Sequence, residues 1–331
     1  MKIGIPNALL TSYYISFIKP FFETLGQDIV ISPKTSKEVF DKGARVMVPE
    51  MCAPVKIMAG HVIYLLNSDA DYIYIPRFLT IEDGEAFCPK FMSLPDMLVS
   101  VIPDLEDKIL THDILSASDN IATMKNFLNI GLKFSKDKRK IKNAIKTGEN
   151  KWLDFRKLCI EEKYNCYSAN NKILKYIEDK KFSSKSNIKI GVVGYVYNIY
   201  DNLISMDILN RLKELKVETV TFETIDNNTV FDKTKRFDKK MFWSFSNKTI
   251  ASAYKFFEDE SIDGIIHVTA FGCGPDSIVG KYLELDSEEY EKPFMTLRVD
   301  EHTGENHLQT RLEAFVDMIY KLKQEKELAL C

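Results

Sequence analysis

The side chains best suited to chemistry in this sequence are three of its six cysteines. Cys52, Cys88 and Cys273 each stand one or two residues before a proline, as Cys52-Ala-Pro, Cys88-Pro and Cys273-Gly-Pro. Proline removes a backbone donor and fixes φ, which holds a loop stiff beside a ligand. Cysteine followed by proline also occurs in bacterial ferredoxin motifs. A helix opening after Cys52 favours its thiolate, and Gly272 and Gly274 let the backbone approach a bulky ligand at Cys273. There is no CxxC or CxxH pair, so a metal site has to be assembled from distant parts of the chain. Zinc ordinarily takes four ligands in local pairs; here the fourth would come from His302 or His267. A cubane on three cysteines keeps one iron open to water, a sulfur species or a substrate oxygen. Spacing alone gives iron only a modest preference over zinc.

Glu50 and Lys56 flank Cys52, and Asp300-Glu301-His302 follows the apolar run PFMTLRV. Glu301 and His302 are the candidate catalytic residues, as proton donor or substrate contact at the open iron. In the blander reading Thr303 caps the next helix and the acidic residues complement its dipole. His61, nine residues after Cys52 in a helical pattern, reads as a packed histidine. Cys159 and Cys166, seven apart in RKLCIEEKYNCYSANNKI, are expected on one helix face as packing residues, and Cys331 is terminal.

The elements that must position the three cysteines are written twice. KIGIPNALL reads as strand and turn, SYYISFIKPFFETLG as a helix stopped by Gly26, and DIVISP as a second strand. After KKFSSKSN the series recurs: IKIGVVGYVYNIYD, a helix over DNLISMDILNRLKELK, and the strand VETVTFE. DYIYIP and DGIIHV are continuous apolar runs, as in strands buried on both faces of a parallel sheet. The fold expected is α/β: two similar doubly wound parallel-sheet domains, at 1–104 and 188–331, with a helical insert or linker at 105–187. Ligands of such sheets bind beyond the carboxyl ends of the strands. Cys52 is expected after a strand ARVMVPE, Cys88 after DYIYIPR and Cys273 after GIIHVT, all facing one cleft between the halves.

The bulk composition excludes other classes. A formal net charge of −3 in 331 residues offers no basic excess for nucleic acid or a membrane surface. The Lys-rich stretch KFSKDKRKIKNAIKTGENK carries acidic residues at helical spacing and reads as a solvated helix face. No secretory signal and no membrane-length apolar run is seen, so the chain is expected in the cytoplasm, where six cysteines do not imply three disulfides. Without a GxxxxGK(S/T) loop it is not expected to hydrolyse ATP. Gly191 and Gly194 begin a dinucleotide fingerprint that lacks its third glycine, so NAD is not expected.

The segments GIPNALL, PEMCAPVKIMAGH, YIYIPR, FCPKFMSLPDM, GYVYNIYDN, FWSF, DGIIHVTAFGCGPDSIVG and RVDEHTGENHLQTRLEAFVDM resemble the acyl-CoA dehydratase activase-related family across essentially the whole chain. That family is the uncharacterised module often fused behind CoA-enzyme activases. It is similar to cluster-carrying subunits of 2-hydroxyacyl-CoA dehydratases and benzoyl-CoA reductases, and to double-cubane cluster proteins. The resemblance implies a 4Fe-4S cluster on Cys52, Cys88 and Cys273, low-potential electron transfer driven by an ATP-dependent activase, anaerobic metabolism, and a homodimer. It also implies an acyl-CoA-type or other small substrate at the open iron, although no CoA-binding signature is present. Two alternatives stand beside it: a non-enzymatic cluster carrier or scaffold partner of an activase, and a structural zinc protein.

Overall fold

Two four-stranded sheets, all parallel and of the same strand order, organise the chain. The computed structural model describes residues 1–175, 187–300 and 305–329. These fall into two units, Met1–Glu178 with Met241–Ser244, and Asp179–Lys240 with Phe245–Cys331.

The first unit runs β1 (Lys2–Ile5), α1 (Thr11–Thr24), β2 (Asp28–Ile31), α2 (Lys37–Val46), α3 (Ala53–Leu66), β3 (Tyr72–Tyr74), β4 (Arg77–Thr80), α4 (Pro89–Met92), α5 (Leu94–Val101), β5 (Ile109–Leu110), β6 (Asp113–Leu115), α6 (Met124–Leu132), α7 (Lys138–Glu161) and α8 (Cys166–Leu174). Its main sheet is ordered β2-β1-β3-β5, and β4 pairs with β6 alongside. Gly26, at φ 84°, ends α1 as its sequence position suggests: its N–H bonds to the Glu23 carbonyl while that of Gln27 bonds to Phe22. α7 buries Ile141, Ala144, Ile145, Gly148, Trp152 and Phe155 and turns Lys138, Arg139, Lys142, Lys146 and Lys151 to solvent. The Lys-rich stretch is therefore a solvated helix face. Its buried side lies on α1, where Tyr13 donates to Asp119 at 2.8 Å and the buried Arg156 sits 3.9 Å from the same carboxylate.

The second unit runs β7 (Lys189–Gly194), α9 (Val196–Tyr200), α10 (Ile208–Glu214), β8 (Glu218–Thr221), a 3₁₀ turn (Phe222–Thr224), α11 (Asn227–Thr234), α12 (Ser246–Glu258), β9 (Gly264–Ala270), α13 (Gly274–Glu289), β10 (Phe294–Val299) and α14 (Glu305–Ala329). Its sheet is ordered β10-β9-β7-β8. In both sheets the first strand is flanked by the second and third, with the fourth outside the third. β9 is buried at all seven positions, as an apolar run covered on both faces requires. The doubly wound α/β reading holds for both halves.

Local expectations differ from the structure at four places. Ala44–Val46, read as part of a strand before Cys52, close α2 instead, because Ser36 caps that helix by accepting from the Val39 N–H. The helix expected over DNLISMDILNRLKELK forms only at Ile208–Glu214, since Met206 and Asp207 take φ of 48° and 57°. Cys159 and Cys166 do not share a helix face: Cys159 ends α7, Cys166 opens α8, and both are buried. Ile109–Leu110 and Asp113–Leu115, in the stretch read as helical, are strands. Among the described residues no helix is long and apolar enough to cross a membrane.

Candidate metal centre

Cys52, Cys88 and Cys273 share one local structure: each is the N-cap of a helix with proline at its first or second position. Pro suits those positions because its missing N–H would be unsatisfied there anyway. The cap carbonyls are engaged, Cys52 by the N–H groups of Val55 (3.0 Å) and Lys56 (3.2 Å), Cys88 by Phe91 (2.9 Å) and Met92 (3.1 Å), Cys273 by Ser277 (3.0 Å). None of the three side chains makes a capping hydrogen bond. All three are partly exposed, unlike Cys159 and Cys166.

In the first unit Cys88 lies within the electrostatic reach of Cys52. Burial pushes the Cys88 thiol up from its ordinary value; the backbone N–H groups of Phe91 and Lys90 oppose that, and the charge of Cys52 adds to it. The Cys88 loop is pinned from both sides. Ala86 donates to the Phe242 carbonyl and accepts from Ser244, each at 2.9 Å, while Phe87 donates to Leu79 at 3.0 Å. The FWSF segment thus contributes an isolated parallel bridge, Ala86 to Trp243, one step from the cysteine loop. Lys56, four residues after Cys52, is 4% exposed and donates to the Pro49 carbonyl at 3.0 Å. Glu50 lies exposed in the preceding loop.

In the second unit Cys273 follows β9 through a turn in which its N–H bonds to Ala270 at 3.2 Å. Gly272 takes φ 75°, and a Cβ there or at Gly274 would meet nothing within 4 Å. The glycines therefore shape the turn and leave open space beside the cysteine.

Within neither unit do three or more His, Cys, Asp or Glu side chains of described residues gather as a metal-holding group. Partly exposed thiols on proline-opened helix caps are donors of the kind an iron–sulfur cluster takes.

Residues 2–225 match the family model described as the CoA enzyme activase uncharacterised domain. The chain belongs to that family. Residues 162–319 match a second model, described as the D-component of 2-hydroxyglutaryl-CoA dehydratase. No curated protein matches it.

The remaining candidates separate clearly. Glu301 and His302 lie outside the described residues, as does Cys331. His61 is a packed histidine, held between Ser32 Oγ (2.8 Å) and Thr35 Oγ1 (2.9 Å), and burial lowers its pKa to about 4. His267 is fully buried, with Nε2 3.0 Å from Asp276 Oδ1. Gly191 and Gly194 serve packing: a Cβ on Gly191 would stand 2.5 Å from Phe256, and one on Gly194 2.4 Å from the Val268 carbonyl.

One feature of the first unit had no legible signal. A small apolar cavity of about 40 Å³ opens at the carboxyl ends of β1 and β3, lined by Leu9, Met58, Ile75, Phe78, Phe91 and Leu94 among others. It sits at the topological switch point of the sheet, where ligands of such folds bind. Leu9, on its rim, has φ 52°. Residues scattered over ninety positions line it, so no window of sequence displays it. The His267–Asp276 pair was likewise unread, although its spacing, from the middle of a strand to the first turn of the next helix, was a usable clue.

Proposed function

We propose that Cys52, Cys88 and Cys273 hold a 4Fe-4S cluster and that the chain relays low-potential electrons as a 2-hydroxyacyl-CoA dehydratase- or reductase-like component. The observation that carries this reading is that Cys52, Cys88 and Cys273, all partly exposed, each cap a proline-opened helix in a protein of this family. When bound, the cluster supplies single electrons at low potential. The chain's own residues hold it. Pro54, Pro89 and Pro275 stiffen the three caps, and the N–H groups of Lys90 and Phe91 favour the Cys88 sulfur as thiolate. The raised Cys88 pKa favours the protonated thiol in the free chain, and a bound metal would take the sulfur as thiolate.

The electron donor in this reading is an ATP-dependent activase, as the two matched families suggest. The acceptor class is an acyl-CoA thioester, and two copies of the chain work as a homodimer in the cytoplasm.

Anaerobic purification followed by metal and acid-labile sulfide analysis tests the proposal. The expected result is about four iron and four sulfide per chain, with broad absorbance near ~400 nm. Cys52→Ser, Cys88→Ser and Cys273→Ser should each lower the iron content. Zinc near one per chain with no iron would replace the cluster reading with a structural zinc site. An unchanged spectrum and iron count in Cys273→Ser would remove the third ligand.

A further inference from the structure

Asp276 occupies the third position of α13, three residues after the Cys273 cap. An acid at that position usually faces water or reaches back to the cap N–H. Here the Cys273 N–H is taken by Ala270, and Asp276 turns inward to complete burial. Its two oxygens are held by two different elements: Oδ1 lies 3.0 Å from His267 Nε2 on β9, and Oδ2 accepts from Asn198 Nδ2 on α9 at 3.2 Å. His267, Asp276 and Asn198 are all 0% exposed. Gly280, one turn further along α13, makes room for the imidazole, since a Cβ there would stand 2.9 Å from Cε1 and 3.0 Å from Nδ1.

This arrangement is expensive for a core. His267 Nδ1 and Asn198 Oδ1 are buried without a hydrogen-bond partner, as are Thr269 Oγ1 on β9 and Thr296 Oγ1 on β10. Each such group costs desolvation free energy that an apolar side chain would not, and buried ionic pairs are often replaced by apolar residues without loss of stability. With His267 donating through Nε2, both Asp276 oxygens accept, as an ionised carboxylate does. A neutral imidazole donating through Nε2 leaves only a bare Nδ1 unpaired, whereas the imidazolium would bury an unpaired charged donor. In that assignment the group carries one negative charge, in the first turn of the helix that Cys273 caps.

We propose that Asp276, clamped by His267 and Asn198, is a positioning residue for Cys273: it ties the first turn of α13 to β9 and α9 and sets a buried negative charge in that turn. The inference rests on the cluster reading above. A fixed negative charge in the same helix turn as a thiolate ligand disfavours the added electron, and hydrogen-bonded outer partners set how a ligand is aimed. The clamp thus keeps the potential low and the sulfur in one place.

The test uses the full chain purified anaerobically with its cluster, comparing iron content, visible circular dichroism and a redox titration. Asp276→Asn should keep its iron while its midpoint potential moves positive and its visible dichroism changes. His267→Leu should shift the potential the same way. His267→Gln, whose amide still donates to Asp276, should stay with the wild type. Loss of packing alone would not separate Gln from Leu by potential. A loaded Asp276→Asn protein with wild-type potential and dichroism would overturn the inference while leaving the cluster reading intact. If Asp276→Asn takes up no iron, Asn198→Ala removes one donor only, and an unchanged potential there overturns it equally. A wild-type chain without any cluster would bring down the cluster reading, and this inference with it.

Discussion

Gly43→Ala perturbs the seat of Cys52 without touching the cysteine. α2 and α3 cross at two glycines: a Cβ on Gly43 would stand 1.8 Å from the Lys56 carbonyl oxygen and 2.7 Å from the Gly60 nitrogen, and one on Gly60 would stand 1.9 Å from the Val39 carbonyl. These neighbours are backbone, so no rotamer change relieves the overlap. Restoring an ordinary contact of ~3.4 Å from 1.8 Å needs the helices to part by about 1.5 Å. Overpacking costs ~1–3 kcal/mol, and a backbone clash belongs at about the top of that range. For a unit of this size ~3 kcal/mol lowers Tm by roughly 6–12 °C. Lys56 lies one turn into the helix that Cys52 caps, so the displacement reaches the thiol, and iron content should fall together with Tm. Gly84→Ala is the control: Gly84 has φ 76° but nothing within 4 Å of an added Cβ, so its cost is the ~1 kcal/mol of backbone strain alone. Thermal melting with an iron count on the anaerobic proteins decides the matter. A Gly43→Ala protein melting where Gly84→Ala does would refute the argument from close approach.

Burial lowers the pKa of both His61 and His112 from 6.5 to about 4. The folded state therefore favours the neutral rings; this stability is fully present above pH 6.5 and is lost as pH falls through about 4, with each ring contributing up to ~3 kcal/mol. Urea midpoints of wild type and His61→Gln between pH 7 and 4 check it, and identical pH slopes would count against the assignment. Asp119→Ala takes from the buried Arg156 the carboxylate 3.9 Å away and from Tyr13 its acceptor, and should cost ~3–5 kcal/mol in chemical denaturation; a loss below ~1 kcal/mol would show that the network is already solvated.

The frame was legible because parallel strands buried on both faces leave continuous apolar runs, and Gly264–Ala270 and Lys189–Gly194 are such runs. The repeated Lys-Ile-Gly start marks the first strand of each sheet. What misled was local. Arg45-Val-Met-Val is β-branched enough to read as a strand, yet Ser36 and the Gly43–Gly60 crossing commit the segment before it to helix. The turn before α10 depends on left-handed Met206 and Asp207, and Met is a residue type that seldom announces that conformation. At the site, proline after each cysteine signalled a stiff cap, and all three caps exist. The cavity was not readable, because its side chains are brought together only by the sheet, and of the Asp276 clamp only the His267 spacing was, not the contact with Asn198.

The duplicated frame also bears on how many sulfurs the chain can offer. In each unit the third strand of the sheet, β3 or β9, leads through its carboxyl end to a cysteine that caps the next helix after the loop, Cys88 before α4 and Cys273 before α13. The helix that precedes the third strand is α3 in one unit and α12 in the other. The first is capped by Cys52. The second is capped by Phe245, a residue at φ 68° and 2% exposed, which packs edge-on against Phe222. A fourfold pattern of caps thus carries three thiols and one aromatic ring. A ring cannot donate to iron, and a buried left-handed cap offers no easy route to a thiol in its place. On the cluster reading, the asymmetry between the halves is what leaves a cubane one protein sulfur short, and a coordination position open for chemistry.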